Sequence, residues 1–364
     1  MEEKWKYHYV HRDLVRAWSD DGVHVDWCNP FNGETVKRGR TDRFFWQWIY
    51  DLQGELKNKM KLVDKTFALY LDVFRQNAFD CLYDELPYAR FSLVFNYLRT
   101  PSFRICDKSE EERNKEFKEY YEELSSGNFD FRRNSDVLIR RYSEYLIRTY
   151  NIAFTSEIAL LDLDHVLLYA APERSFIIGG SPVGVINPYY HERESQKHPF
   201  FAFSRVGAVM VMPLSPSVTL CLFDHSVYRP RKKGGKCILS PEDTDFLNAV
   251  QIFNGGLKDG IVYRGDIDYV FSLCREFVTG PREKYTGEYL DYYPLRRTLS
   301  ALGIRAAAEE AYDEYSDDSV RPFVDTMRKY SDSIGSVNPE NYEEKEHRRY
   351  VMAHNLAFED QIEE

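Results

Sequence analysis

The hydrophobic period of this chain, helical from Thr41, changes near residue 151, and that change limits the folds open to it. Before it, apolar residues recur every three to four positions, a spacing that gathers them on one side of a helix. Phe67, Tyr70, Leu71, Phe74 and Ala78 do so within a helix expected from about Asp64 to Tyr83. The next is expected from Pro87, whose fixed φ suits a first turn, to Arg99-Thr100-Pro101. Thr41 or Asp42 is placed to cap a helix carrying Phe45, Trp46, Trp48 and Ile49. Ser135 to Tyr150 lines up Val137, Leu138, Tyr142, Tyr145, Leu146 and Tyr150. After residue 157 short apolar runs take over: Phe176-Ile177-Ile178, Val183 to Ile186, Val206 to Met212, and Val218 to Phe223. Gly and Pro separate them, which is strand-and-turn chemistry. Val23, Val25 and Trp27 alternate as in an earlier strand stopped at Asn29-Pro30. Ser240-Pro241-Glu242-Asp243 starts a helix, with Ser as cap, Pro at the first position and acids in the first turn. The expectation is an α+β protein. It has a helical N-terminal half, a small, mainly antiparallel sheet over 157–223 with the helix 241–255 on it, and a helical C-terminal extension.

Such a chain has the means to build a core. Aromatic residues make up 15% of it, enough buried surface to offset chain entropy and to exclude a disordered protein. The net charge of −11 argues against a general coat for DNA. Acid gathers at 108–123 and 309–364, while 229–236 is locally basic. Cys28, Cys81, Cys106, Cys221, Cys237 and Cys274 form no CxxC pair, so reduced and mostly buried thiols are expected, with no metal site assigned. No run approaches the ~18 apolar residues of a membrane span, and the N-terminus lacks an apolar signal core. A soluble cytoplasmic protein with no membrane partner is the reading.

Several fragments, taken in order, resemble one family. They are His8-Tyr9-Val10 followed by Leu14 to Trp18; Arg99-Thr100-Pro101 with Phe103-Arg104; Phe176-Ile177-Ile178-Gly179-Gly180-Ser181-Pro182-Val183; Met212-Pro213-Leu214-Ser215-Pro216; and Phe246-Leu247-Asn248 through Val262-Tyr263. Together they resemble the domain of unknown function 4238 family over residues 7–270. The division implied is a family-like body at 7–270, helical over 41–150 and sheet-rich over 157–270, with an acidic helical extension at 271–364. His11 stands where the family pattern has Pro, and Gly179-Gly180 where it has Ser-Asp. The acidic group of that turn is therefore missing from its usual place.

Candidate chemistry rests on a few side chains. His8 opens the family signature and titrates near neutral pH, as a general base must. His11, beside Arg12 and Asp13, reads more simply as part of a capped turn. Arg99 and Arg104 flank Pro101, where a guanidinium either forks onto a phosphate or carboxylate or satisfies helix-end carbonyls. Arg231, Lys232, Lys233 and Lys236 belong to the one dense basic cluster, with Tyr228 available to stack on a base. The Gly179-Gly180 turn reads as a tight strand connection, and Arg193 with His198 as a polar loop between Pro188 and Pro199. Arg264-Gly265-Asp266 reads as a turn and helix cap.

Two functional classes follow. One is a hydrolase or nuclease-like effector acting on nucleic acid or another phosphorylated substrate. It would use His8 and Arg99 catalytically and hold substrate through Arg104, Arg231, Lys232, Lys233 and Lys236. It requires His8 and Arg99 to converge in one cleft. The other is a non-catalytic binding or scaffold protein, engaging a partner through the basic loop at 229–236 or the acidic C-terminal region. No motif names a cofactor, and enzyme activity stays open.

Overall fold

A computed structural model describes residues 4–30, 32–51, 54, 56–76, 86–99, most of 139–150, 153, 160, 163–186, 207–225, 227–252, 259–278 and 300–302. Two strands open this structure: β1 (Lys4–His8) pairs antiparallel with β4 (Trp46–Tyr50) as a separate ribbon. Between them lie the short helix α1 (Arg12–Arg16) and the antiparallel pair β2 (His24–Asn29) and β3 (Glu34–Arg40). The expected helical N-terminal half is thereby corrected: residues 4–50 hold four strands and, of helix, only the short α1 and a 3-10 turn. The stretch read as a helix from Thr41 is a single 3-10 turn followed by β4. Phe45, Trp48 and Ile49 fit a helical period, but Trp46, Trp48 and Tyr50 fit a strand period equally well, and short apolar runs do not separate the two. Pairing with β1, from Lys4 opposite Tyr50 to His8 opposite Trp46, decides the outcome.

The helices α2 (Leu56–Gln76) and α3 (Leu86–Leu98) carry the expected period, but α2 begins eight residues before the expected Asp64, and Ala78 lies outside the described residues. The first buries Met60, Val63, Phe67, Tyr70, Leu71 and Phe74 along one side. Helical positions also recur within 139–150, where Ile139, Tyr142 and Leu146 are buried.

Two larger sheets follow. One holds β5 (Leu163–Tyr169), β7 (Gly184–Ile186), β8 (Val209–Ser215), β9 (Val218–Asp224) and β10 (Cys237–Ile238) in the order β10-β5-β9-β8-β7. It is mixed, because β10 runs parallel to β5. The other is ordered β3-β2-β11-β6, with β6 at Ile178–Gly179 and β11 at Ile261–Tyr263. The single small sheet expected over 157–223 is thus corrected twice: β6 leaves it for a sheet shared with the N-terminal strands, and β10 joins it from beyond residue 223. Helices also follow the sheet strands, as α4 (Pro241–Gln251) and α5 (Ile267–Val278). The acidic extension beyond residue 302 lies outside the described residues, as do Cys81 and Cys106. Cys28, Cys221, Cys237 and Cys274 are buried and unbonded.

A ladder of side chains on α4 holds the centre together. Ser240 caps the helix, its Oγ accepting from the Asp243 N–H at 3.1 Å. Thr244, Asn248 and Gln251 then share one face, at helical spacing. Thr244 Oγ1 accepts from the Ala171 N–H (3.2 Å). Asn248 accepts from the Ile177 N–H (3.0 Å) and donates to the Ser175 carbonyl (2.9 Å). Gln251 accepts from the Gly179 N–H (3.3 Å) and donates to the Pro182 carbonyl (2.9 Å). All three side chains are buried. Just beyond α1, the Trp18 indole N–H donates to the Phe176 carbonyl at 2.8 Å. A buried amide left without a partner costs about 1–3 kcal/mol. Replacing Asn248 by Ala, which orphans two backbone groups, is therefore expected to lower unfolding free energy by about 2–4 kcal/mol. Urea titration checks this, and a loss no larger than that of an ordinary surface substitution would show that the ladder is dispensable.

Candidate functional site

Arg99 prolongs α3 by one residue, its N–H donating to the Phe95 carbonyl at 2.8 Å. Its side chain is wholly buried, at 0% exposure. Burial of a cation costs several kcal/mol unless it is paired and hydrogen-bonded. Here Nη1 donates to Asp64 Oδ1 of α2 at 2.7 Å and to the Tyr7 hydroxyl of β1 at 2.9 Å. The guanidinium also lies over the Tyr7 and Phe95 rings, 5.8 and 5.7 Å from their centroids. One cation therefore ties together the ribbon and both long helices. The pairing is incomplete. Nε and Nη2 are buried and have no hydrogen-bond partner. These two nitrogens form one edge of the planar group, with parallel donors spaced to grip a carboxylate or phosphate. The Trp5 indole N–H, on the same face of β1 as Tyr7 and packed edge-on against its ring, is likewise buried without a partner.

His11 completes this neighbourhood. It caps α1, its Nδ1 accepting from the Asp13 N–H at 3.2 Å, so the neutral ring carries its proton on Nε2. The ring packs edge-on against Phe67 of α2. Burial lowers its pKa; the charges of Asp64 and Asp13 oppose that shift, and those of Arg99 and Arg12 add to it. It is a neutral donor at neutral pH, standing within the field of the Arg99–Asp64 pair.

His8 is placed elsewhere. Alternation along β1 sends it to the face opposite Tyr7. There its Nε2–H donates to the Asp42 carbonyl at 3.1 Å, an oxygen that also receives the Lys6 ammonium at 2.6 Å. Burial first, then the charges of Lys6 and Arg12, lower its pKa to about 4, against the raising effect of its bond to Asp42. The fold thus does not bring His8 and Arg99 to one point.

The basic cluster is a tight hairpin. Lys233 and Lys236 exchange backbone hydrogen bonds across Gly234 and Gly235, whose φ values of 58° and 78° suit a two-residue turn of the primed type. Arg231, Lys232, Lys233 and Lys236 are exposed, and Lys236 lies 4.9 Å from the Tyr169 ring centroid. Tyr228 is not available to stack on a base: it is buried, with its hydroxyl donating to the Gly207 carbonyl at 2.9 Å. No hydrogen bond or ion pair among the described residues joins this hairpin to Arg99. Arg104, His191, Arg193 and His198 lie outside the described residues.

At the Gly179-Gly180 turn, a Cβ added to Gly180 would collide with the Asp259 side chain. The carboxylate at this turn is therefore supplied by residue 259, in the space that a side chain at 180 would need. Asp266 accepts from the Asp268 N–H at 2.9 Å at the start of α5, and Arg264 pairs with Asp20. Among the described residues no group of three or more His, Cys, Asp and Glu side chains is placed to hold a metal ion, and no helix is long and apolar enough to cross a membrane.

Sequence reasoning missed Tyr7, Asp64 and the closeness of His11. One signal was present: Asp64 interrupts the row Met60–Phe67–Leu71 on α2, an acid where the period calls for an apolar residue.

Compared with known proteins, residues 53–258 match the family model described as "Protein of unknown function (DUF4238)". That span is more than half of the chain and includes Asp64, Arg99 and the α4 ladder, while Tyr7 and His11 precede it. No curated protein and no solved structure matches.

The buried state of His8 has a pH consequence. Its folded pKa of about 4 lies below the ordinary 6.5, so the unfolded chain takes up the proton first as pH falls. Stability is unaffected above pH 6.5 and is lost progressively between pH 6.5 and 4, by up to about 3 kcal/mol from this group. Denaturant titrations across that range should show a shallower loss in His8→Gln, which keeps a donor for the Asp42 carbonyl. An unchanged slope would remove His8 as its source.

Proposed function

The chain belongs to the DUF4238 family, and from that premise we propose that it is a binding protein whose ligand presents an oxyanion, a phosphate or a carboxylate, to Arg99. One observation carries this reading: a fully buried guanidinium holds Asp64 and Tyr7 through one nitrogen and leaves its Nε and Nη2 donors unmet. Donors left this way cost about 1–3 kcal/mol each, and an incoming oxyanion would meet both at once. The hydrolase or nuclease-like reading is less well supported, because it needed His8 beside Arg99. The anion class of ligand is kept from it, and the acid–base pair is not.

Charge gives the proposal a sharper form. Asp64 already balances Arg99, so a bound anion leaves one negative charge unanswered. His11 feels both residues and is the group able to answer it, by taking up a proton on binding. Affinity for acetate, which does not itself titrate near neutral pH, should therefore rise as pH falls below neutral, with proton uptake visible as a buffer-dependent binding enthalpy.

Calorimetry with inorganic phosphate and with acetate tests this on the full chain. Arg99→Lys keeps the charge and loses the fork. It is expected to weaken binding about tenfold or more, the equivalent of one charge-assisted hydrogen bond. His11→Gln should remove the pH dependence while leaving binding at pH 8 in place. Circular dichroism establishes that each variant is folded. A wild-type chain that binds neither anion, or an Arg99→Lys variant that binds as well as wild type, would overturn the proposal.

A further inference from the structure

The face of the ribbon turned away from Arg99 carries an independent feature. Its β1 residues are Lys4, Lys6 and His8, and its β4 residues are Trp46, Trp48 and Tyr50, facing one another in register. The three rings are half-buried and the two lysines exposed. Each ring has a cation on it. Lys6 Nζ lies 4.4 Å from the Trp46 centroid, and Lys4 Nζ lies 5.6 Å from Trp48 and 5.9 Å from Tyr50. The Arg140 guanidinium lies 5.1 Å from Tyr50. Beside the row, Arg40 holds the Asp42 carboxylate at 3.2 and 3.3 Å. In a chain of net charge −11, this is a locally cationic, aromatic strip.

The backbone just before the row is strained. Phe45 has a φ of 52°, in the left-handed region that bulky side chains avoid. The reversal drives Phe45 into the core, edge-on to Tyr9, and starts the outward row at Trp46. Strain of this kind persists only where the surroundings enforce it.

We propose that this outer face of the β1–β4 ribbon binds single-stranded nucleic acid, with bases stacking on Trp46, Trp48 and Tyr50 and phosphates contacting Lys4, Lys6 and Arg140. Ring geometry favours a single strand over a duplex. Trp46 and Trp48 stand edge to face, with centroids 5.5 Å apart, so their faces do not continue one stack and suit bases that have been turned out of a helix. Charge complementarity favours a polyanion over an uncharged sugar chain or an acid-poor peptide. Ring faces and ammonium groups do not distinguish one base from another, so binding should tolerate sequence. This site does not depend on the oxyanion reading of Arg99, which concerns the opposite face.

Fluorescence anisotropy with labelled oligouridylate and oligothymidylate, on the full chain, tests it. Wild type is expected to bind at low salt and to weaken as salt rises. Trp46→Ala and Trp48→Ala should each lose about tenfold in affinity. Lys4→Gln with Lys6→Gln should flatten the salt dependence, and Lys61→Gln on the exposed side of α2 should leave affinity unchanged. Absence of binding at low salt, equal affinity for a duplex of the same length, or full affinity in the folded tryptophan variants would overturn the proposal.

Discussion

The backbone from Ala171 to Pro182 leaves the five-stranded sheet after β5, joins the four-stranded sheet through β6, and returns to the first at β7. Only two of its residues lie in a strand, yet much of it is buried, so most of its amide groups have no ladder to meet them. Thr244, Asn248 and Gln251 of α4 meet them instead. The placing of both sheets depends on that substitution of side chain for strand. The same helix packs Phe246, Leu247 and Val250 into the core from its other positions, so one element supplies both apolar burial and polar satisfaction.

Arg99 sets a contrast with this ladder. The α4 side chains are matched donor for acceptor, which is how a scaffold is made rigid. The Arg99 guanidinium is matched on one nitrogen and open along the opposite edge. Both arrangements are buried, and they differ in how far their polar groups are met. Tyr7 and Asp64 keep the cation in place without exhausting it, and His11 is close enough to feel its charge while remaining neutral.

The ribbon that supplies Tyr7 has two unlike faces because a strand alternates. Trp5, Tyr7 and Ile49 turn toward the helices, and the Lys4, Lys6, Trp46, Trp48 and Tyr50 row turns away. A shift of one residue in pairing would exchange the two sets. The core requirement for Tyr7 and Ile49 therefore also fixes which residues form the outer strip, and the left-handed Phe45 sets the point at which that strip begins.

Local chemistry was legible from the residues alone. The apolar spacing of α2, the Pro87 and Ser240-Pro241 starts of α3 and α4, and the apolar runs of β7, β8 and β9 all rest on interactions within a few positions of the chain. So did the prominence of Arg99 at a helix end. What the tertiary structure decided was partnership. It made β4 a strand by pairing it with β1, placed β6 beside β11, and set His11 rather than His8 near Arg99. It also filled the space above Gly180 with Asp259. These outcomes depend on residues tens to hundreds of positions apart. A period or a cap records only the energies of near neighbours, whereas the fate of a buried charge or an ambiguous apolar run is settled by whichever distant group the fold brings against it.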